Sequence, residues 1–154
     1  MADTVGAQPN ESEKERVDRE LKEFLEETRI VIPGLELLFG FLLILPFSDR
    51  FDALVTSQRV VYLACLLVVA LAAALLVAPS ARHRLRFRTV DKEHLLFVAN
   101  RCLIAGLALV AVSIALAVYL ATSMVLASSW ATWIASFIAA WFALWWFVIP
   151  LLRK

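Results

Sequence analysis

Polar and apolar positions alternate along this chain in long blocks rather than in short ones. Residues 1–12 (MADTVGAQPNES) are polar and carry Pro9 and Asn10, which predicts a disordered tail. From Glu13 the spacing changes. Val17, Leu21, Phe24, Leu25 and Thr28 fall on one helical face and charged residues cover the others, so 13–29 is predicted as an amphipathic helix. Ser12 is its expected N-cap, with Glu15 three residues on completing a capping box. A continuous apolar stretch follows at 30–47; its 18 residues span ~27 Å at 1.5 Å each, just enough to cross a bilayer. Pro33-Gly34 is placed to kink it, and Pro46 with Ser48-Asp49-Arg50 ends it. Residues 48–59 form a short connection, with Phe51 and Leu54 expected at the interface. The second apolar stretch, 60–78, is capped by Thr56 or Ser57 and stopped by Pro79. The third, 95–121, is approached from an N-cap at Asp91. The fourth, 130–152, begins behind Ser128 or Ser129 and ends at Pro150 and Arg153-Lys154. The expected fold is all-α: a four-transmembrane-helix bundle over 30–152 with an N-terminal cytoplasmic amphipathic helix.

Within the stretches, small residues recur every four positions: Ala70, Ala74 and Ala78 in the second, Ser113, Ala117 and Ala121 in the third, Ala131, Ala135, Ala139 and Ala143 in the fourth. Such rows let membrane helices approach closely. The fourth also carries an aromatic ladder, Trp133, Phe137, Trp141 and Trp145, read as packing or lipid contact. Trp130 and Trp133 mark one membrane interface, and Trp145 and Trp146 the other.

Composition supports the membrane reading. The chain is 62% hydrophobic, well above the roughly 45–50% of soluble domains, and a core of this size cannot hide the excess. Charge sets the orientation. Five Lys and Arg lie in residues 1–30, five in 82–92 and two at the C-terminus, twelve together, against Arg50 and Arg59 in the intervening loops. The positive-inside rule then puts both termini in the cytoplasm. Arg82, Arg84, Arg86 and Arg88 are expected to contact anionic lipid headgroups at the cytoplasmic face, with Phe87 among the acyl chains. Residues 1–30 themselves carry nine acids against five bases, so the first helix is not a simple anchor for anionic lipid; its acids are free to dock on the basic loop or on a partner. A basic run this short and this near the membrane excludes nucleic acid as the partner. Cys65 and Cys102 read as small apolar residues, and His83 and His94 lack companion ligands, so no metal or cofactor is expected. No nucleophile elbow, phosphate loop or zinc signature is present, and an enzyme has no support.

Charged side chains inside a bilayer are costly and generally face a partner. Glu36 is six residues past Ile30, and Arg101 is six past Leu95, each ~9 Å deep from the same side. Glu36 is therefore expected to meet Arg101 or Asn100 between the first and third spans, as a buried polar pair that sets helix register. The alternatives are a proton or cation site at Glu36, or an Arg101 that snorkels to the headgroups without a partner. A transporter built on Glu36 also needs a polar route to both sides, and the second and fourth stretches offer only Ser, Thr and Trp.

Several of these pieces together resemble an uncharacterised actinobacterial family of small four-helix integral membrane proteins. They are Glu27-Thr28-Arg29 leading into 34–43 (GLELLFGFLL), Ala78-Pro79 with His83-Arg84 and Phe87-Arg88, and Ala99-Asn100-Arg101. The resemblance covers about residues 20–150. It implies a multi-pass protein of the bacterial plasma membrane. Some members carry the label sodium:proton antiporter, and members often have Gln where this chain has Glu36, which suits a hydrogen-bonding role. Two functions follow as expectations. The first is a structural or accessory membrane protein that packs with a second copy or a membrane partner through its small-residue faces. The second is a proton- or cation-coupled transporter or channel acting as an oligomer around Glu36.

Overall fold

The computed structural model describes residues 13–85, 92–126 and 128–152. Over these residues the chain is helical apart from short turns. α1 runs Glu13–Ile44 and passes into a 3-10 turn at Leu45–Phe47; α2 runs Thr56–Leu85, α3 Lys92–Ser123 and α4 Ser128–Ala143. A π turn at Leu144–Val148 and a last helical turn at Ile149–Leu152 continue α4. Four stretches are long and apolar enough to cross a membrane: Glu26–Phe47, Thr56–Arg82, Phe97–Ser123 and Ser129–Leu152. The expected tail, the caps at Ser12 and Asp91, and the terminal Arg153-Lys154 lie outside the described residues.

Three features differ from the sequence reading. The amphipathic segment is not a separate helix. It continues into the first span without a break, and Pro33 is accommodated inside α1. A proline removes one hydrogen bond to the residue four back, and in a helix of 32 residues the remaining ladder carries through. Pro79 likewise sits inside α2, which extends to Leu85. At the far end of α4 the geometry does change. The ring of Pro150 opposes the carbonyl of Trp146, four residues earlier, and the backbone relieves that clash by widening into the π turn just before it.

The helices run alternately up and down. Tyr62 on α2 donates its hydroxyl to the carbonyl of Leu42 on α1 at 3.0 Å, and the thiol of Cys65 reaches the carbonyl of Ser113 on α3 at 3.4 Å. Farther along, Leu76 lies against Gly106. Both described chain ends, and the ends of α2 and α3 that bracket residues 86–91, therefore share one end of the molecule.

The arrangement is not a closed bundle. α2 and α3 share the broadest interface, α1 lies across both, and α4 packs on α3 alone among the described helices. The core accordingly comes from three helices, with Leu35 and Leu42 of α1, Val69 and Leu76 of α2, and Leu103 and Val110 of α3. On α4 the alanine row turns toward α3, where Ala139 and Ala143 line a groove with Ala108 and Ala111. The aromatic ladder turns away: Trp133 is 74% and Phe137 64% exposed. On α2 the expected small-residue face is not the packing face, because Ala70 and Ala74 are exposed while Cys65, Val69, Ala72 and Leu76 are buried.

At the opposite end from the basic segment, Gln58 ties the structure together. Its Oε1 accepts from the backbone N–H of Val55 at 3.1 Å, covering a donor at the start of α2 that was expected to be capped by Thr56 or Ser57. Its Nε2 donates to the carbonyl and hydroxyl oxygens of Ser123, at 3.2 and 3.1 Å, at the end of α3. Nearby, Phe51 stacks edge-on against Tyr62 and takes the guanidinium of Arg59 over its face. Gln58→Ala removes the link between the two helix ends and is expected to lower stability by about 1–2 kcal/mol, read as an earlier thermal transition in detergent. An unchanged transition would mean that these bonds contribute nothing beyond what water replaces.

Candidate functional site

Glu36 is the residue on which any chemistry in the apolar region centres. It stands ten residues from one end of the first span and eleven from the other, ~15 Å from each. Its neighbours Leu35 and Leu42 turn into the core, one α-helical face on. Glu36 itself is exposed at the side of α1. There it borders a groove of about 230 Å³ between α1 and α2, whose other walls are Leu35, Phe39, Val69, Ala70 and Ala73. The walls are hydrocarbon and one aromatic ring, with a single carboxylate among them.

The structure does not bring Glu36 to Arg101 or Asn100. No hydrogen bond or ion pair joins them among the described residues; Arg101 and Asn100 are exposed, and the Arg101 guanidinium lies 4.6 Å from the centre of the Phe97 ring one turn away. The reason is axial register. The groove residues Val69, Ala70 and Ala73 stand three to seven positions to one side of Leu76, and Arg101 stands five positions to the other side of Gly106, which faces Leu76. At 1.5 Å per residue the two levels differ by ~12–18 Å, beyond the combined reach of the side chains. Equal depth was inferred from spans starting at 30 and 95. Counted from the apolar helical stretches themselves, Glu36 is ten residues in and Arg101 four.

Of the basic residues, Arg82 is exposed near the end of α2, and Arg84 lies on the same helix. Arg86 and Arg88 lie outside the described residues. Cys65 is buried, Cys102 half-buried, and both are free thiols. No group of three or more His, Cys, Asp or Glu side chains gathers among the described residues.

Two other concavities differ in chemistry. The groove between α3 and α4, about 180 Å³, has Ala108, Ala111, Val112, Ala139, Ala143 and Phe147 as its walls and no polar side chain. A cavity of about 400 Å³ at the opposite end is lined by Arg50, Ala53, Leu54, Gln58, Ser123 and Met124; its Gln58 is committed to Ser123 and Val55. Among the three, only the α1–α2 groove combines apolar walls with a charged group at mid-span.

Sequence reasoning missed Gly106 and Gln58 as structural residues and Phe39 as part of the groove. Gly106 had a visible signal, as the glycine at the middle of the third apolar stretch. Phe39 follows Glu36 by three positions and so shares its face, which helical spacing alone implies.

Comparison with curated proteins and with solved structures gives no match. A family sequence model does match, over residues 10–150, nearly the whole chain. The chain belongs to the family of unknown function DUF6328.

Proposed function

We propose that the protein is a small four-span integral membrane protein of structural or accessory role, with both termini in the cytoplasm. The supporting observation is the pairing of length and topology. Four helices are each long enough to cross, and their alternation carries both chain ends and the basic segment to one end. Twelve of the fifteen Lys and Arg belong to that end and two to the other, with Arg101 between. Large apolar side chains along the outside, Leu67, Leu71, Phe137 and Trp141 among them, need no cover in lipid. The arginines at 82, 84, 86 and 88 then lie at headgroup level, where anionic lipid is their natural counter-charge. α4, held by α3 alone, offers its outer face to a second copy or to another membrane protein.

Topology mapping tests this. Single cysteines at positions 49 and 84, in a chain with Cys65 and Cys102 replaced by alanine, are expected to separate fully. Position 49 reacts with an impermeant maleimide in intact cells, and position 84 only after permeabilisation. The reverse pattern, or equal labelling of both, removes the proposed orientation.

A second reading has its own support. Glu36 stands at mid-span, at an open groove, without a hydrogen bond or ion pair among the described residues. A carboxylate there is expensive unless it meets a proton, a cation or a partner group, which favours a cation- or proton-handling role. Flux into proteoliposomes, compared with Glu36→Gln, is its test.

A further inference from the structure

We propose that the α1–α2 groove is a binding site for a hydrophobic organic monocation, which reaches it laterally from the lipid and is held by Glu36. This rests on the reading of Glu36 as a cation-handling group, and it names the class of cation.

The groove's composition decides between kinds of cation. A hard inorganic ion gives up its water only for several oxygen ligands. Here it would find one carboxylate, because the remaining walls are the side chains of Leu35, Phe39, Val69, Ala70 and Ala73, and the neighbouring backbone carbonyls are bound within α1 and α2. A quaternary ammonium or phosphonium has no such need. Its charge is spread beneath hydrocarbon, which suits apolar walls, and it requires only one opposite charge nearby. Phe39 adds an aromatic face, the surface on which such ions settle best.

Position agrees with composition. No Lys or Arg occurs on α2 between Arg59 and Arg82, and Arg101 is ~12–18 Å away along the helix axes, so no resident cation competes for the carboxylate. The groove opens sideways, off the flank of α1, rather than toward either end. A lipid-soluble cation therefore needs no aqueous path, and the lack of polar groups along α2 and α4 is no obstacle to it. At about 230 Å³ the groove is smaller than the ~300–1,000 Å³ of sites that enclose drug-sized ligands. It takes one or two arms of such an ion and leaves the rest in lipid.

The test is binding of tetraphenylphosphonium to the purified full chain in nanodiscs, by equilibrium dialysis, with tetraphenylborate as the charge-reversed isostere. Saturable phosphonium binding is expected, weakened about tenfold or more by Glu36→Gln and also by Ala70→Phe, which fills the groove without touching the carboxylate. Glu36→Asp should retain weaker binding, and borate uptake should not depend on residue 36. Phosphonium binding that is absent, or equal in wild type and Glu36→Gln, overturns the proposal. So does a Glu36→Gln variant whose only change is loss of self-association by light scattering, which would assign the groove to a second copy. Glu36-dependent sodium or proton flux in the same preparation without phosphonium binding overturns this inference and leaves the broader reading of Glu36 standing. Absence of both overturns the two together.

Discussion

Gly106→Leu is expected to force α2 and α3 apart and to cost about 3 kcal/mol or more of stability in detergent, the largest loss from any single exchange considered. A Cβ built on Gly106 falls 2.7 Å from Cδ2 of Leu76 and 2.9 Å from its Cγ. Carbon atoms do not approach so closely, so Leu76 must move. It has nowhere to go, because its side chain is wholly buried in the three-helix core beside Val69 and Ala72. The smaller change Gly106→Ala is the more diagnostic one. In a helix interior it ordinarily stabilises by about 1 kcal/mol. Overpacking of a filled core costs about 1–3 kcal/mol, so the packing view expects a net loss or at best no gain. Leu76→Ala alone should cost about 2–5 kcal/mol through the cavity that it leaves. Combined with Gly106→Leu it should be less harmful than the sum, with a coupling of about 0.5–3 kcal/mol in the double-mutant cycle. A Gly106→Leu protein that unfolds like wild type would show that α2 and α3 do not meet at this point.

The contrast with Ala70, Ala74 and Ala78 explains why this contact was not legible from spacing. A four-residue repeat of small side chains marks a face that permits close approach. It does not say that a helix is there to approach. On α2 the face that meets α3 is the one carrying Cys65, Val69, Ala72 and Leu76, and the knob on it is met by a single glycine across the interface. Pairwise fit of this kind depends on the partner's sequence and the register between helices, and neither can be read from one stretch alone. The four apolar lengths, by contrast, are properties of each stretch by itself, and all four appear as helices long and apolar enough to cross a membrane. Helix ends were harder to read. Pro33 and Pro79 were taken as a kink and a stop, yet both sit within continuous helices, since the other hydrogen bonds of a long helix hold across one missing donor.

The candidate site divides the same way. Glu36 stood out as the carboxylate within an apolar stretch, and that much is chemistry of one residue. Its partner was inferred by counting from assumed span ends, and an error of a few residues at each end was enough to put two side chains at a common depth that are ~12–18 Å apart along the axis. The groove itself needs α1 and α2 side by side in a definite rotation, which brings Phe39 and Ala73 to the same carboxylate. Nothing in the spacing of either stretch contains that rotation.

Glu36→Leu is expected to act in two opposite directions, and the combination separates a site from a structural residue. Carrying an ionisable side chain at the centre of a span costs about 2.5–3.5 kcal/mol on insertion scales, whereas leucine there is favourable by about 0.5 kcal/mol. The exchange should therefore favour membrane integration of the full chain by about 3 kcal/mol, seen as a larger protease-protected fraction in cell-free synthesis with membranes. It should at the same time remove the only carboxylate of the groove and with it the retention of cations. Arg101→Leu is the matched control. Arg101 lies four residues inside its stretch, ~6 Å, and its guanidinium rests over Phe97, so a long side chain already reaches the boundary and less is gained by deleting it. Were Glu36 held by a partner inside the fold, its loss would leave that partner unpaired and buried, and the variant would integrate less well or unfold earlier. Improved integration with loss of cation binding fits a carboxylate kept at a cost for what it binds, and reduced stability on Glu36→Leu would return it to the role of an internal helix clamp.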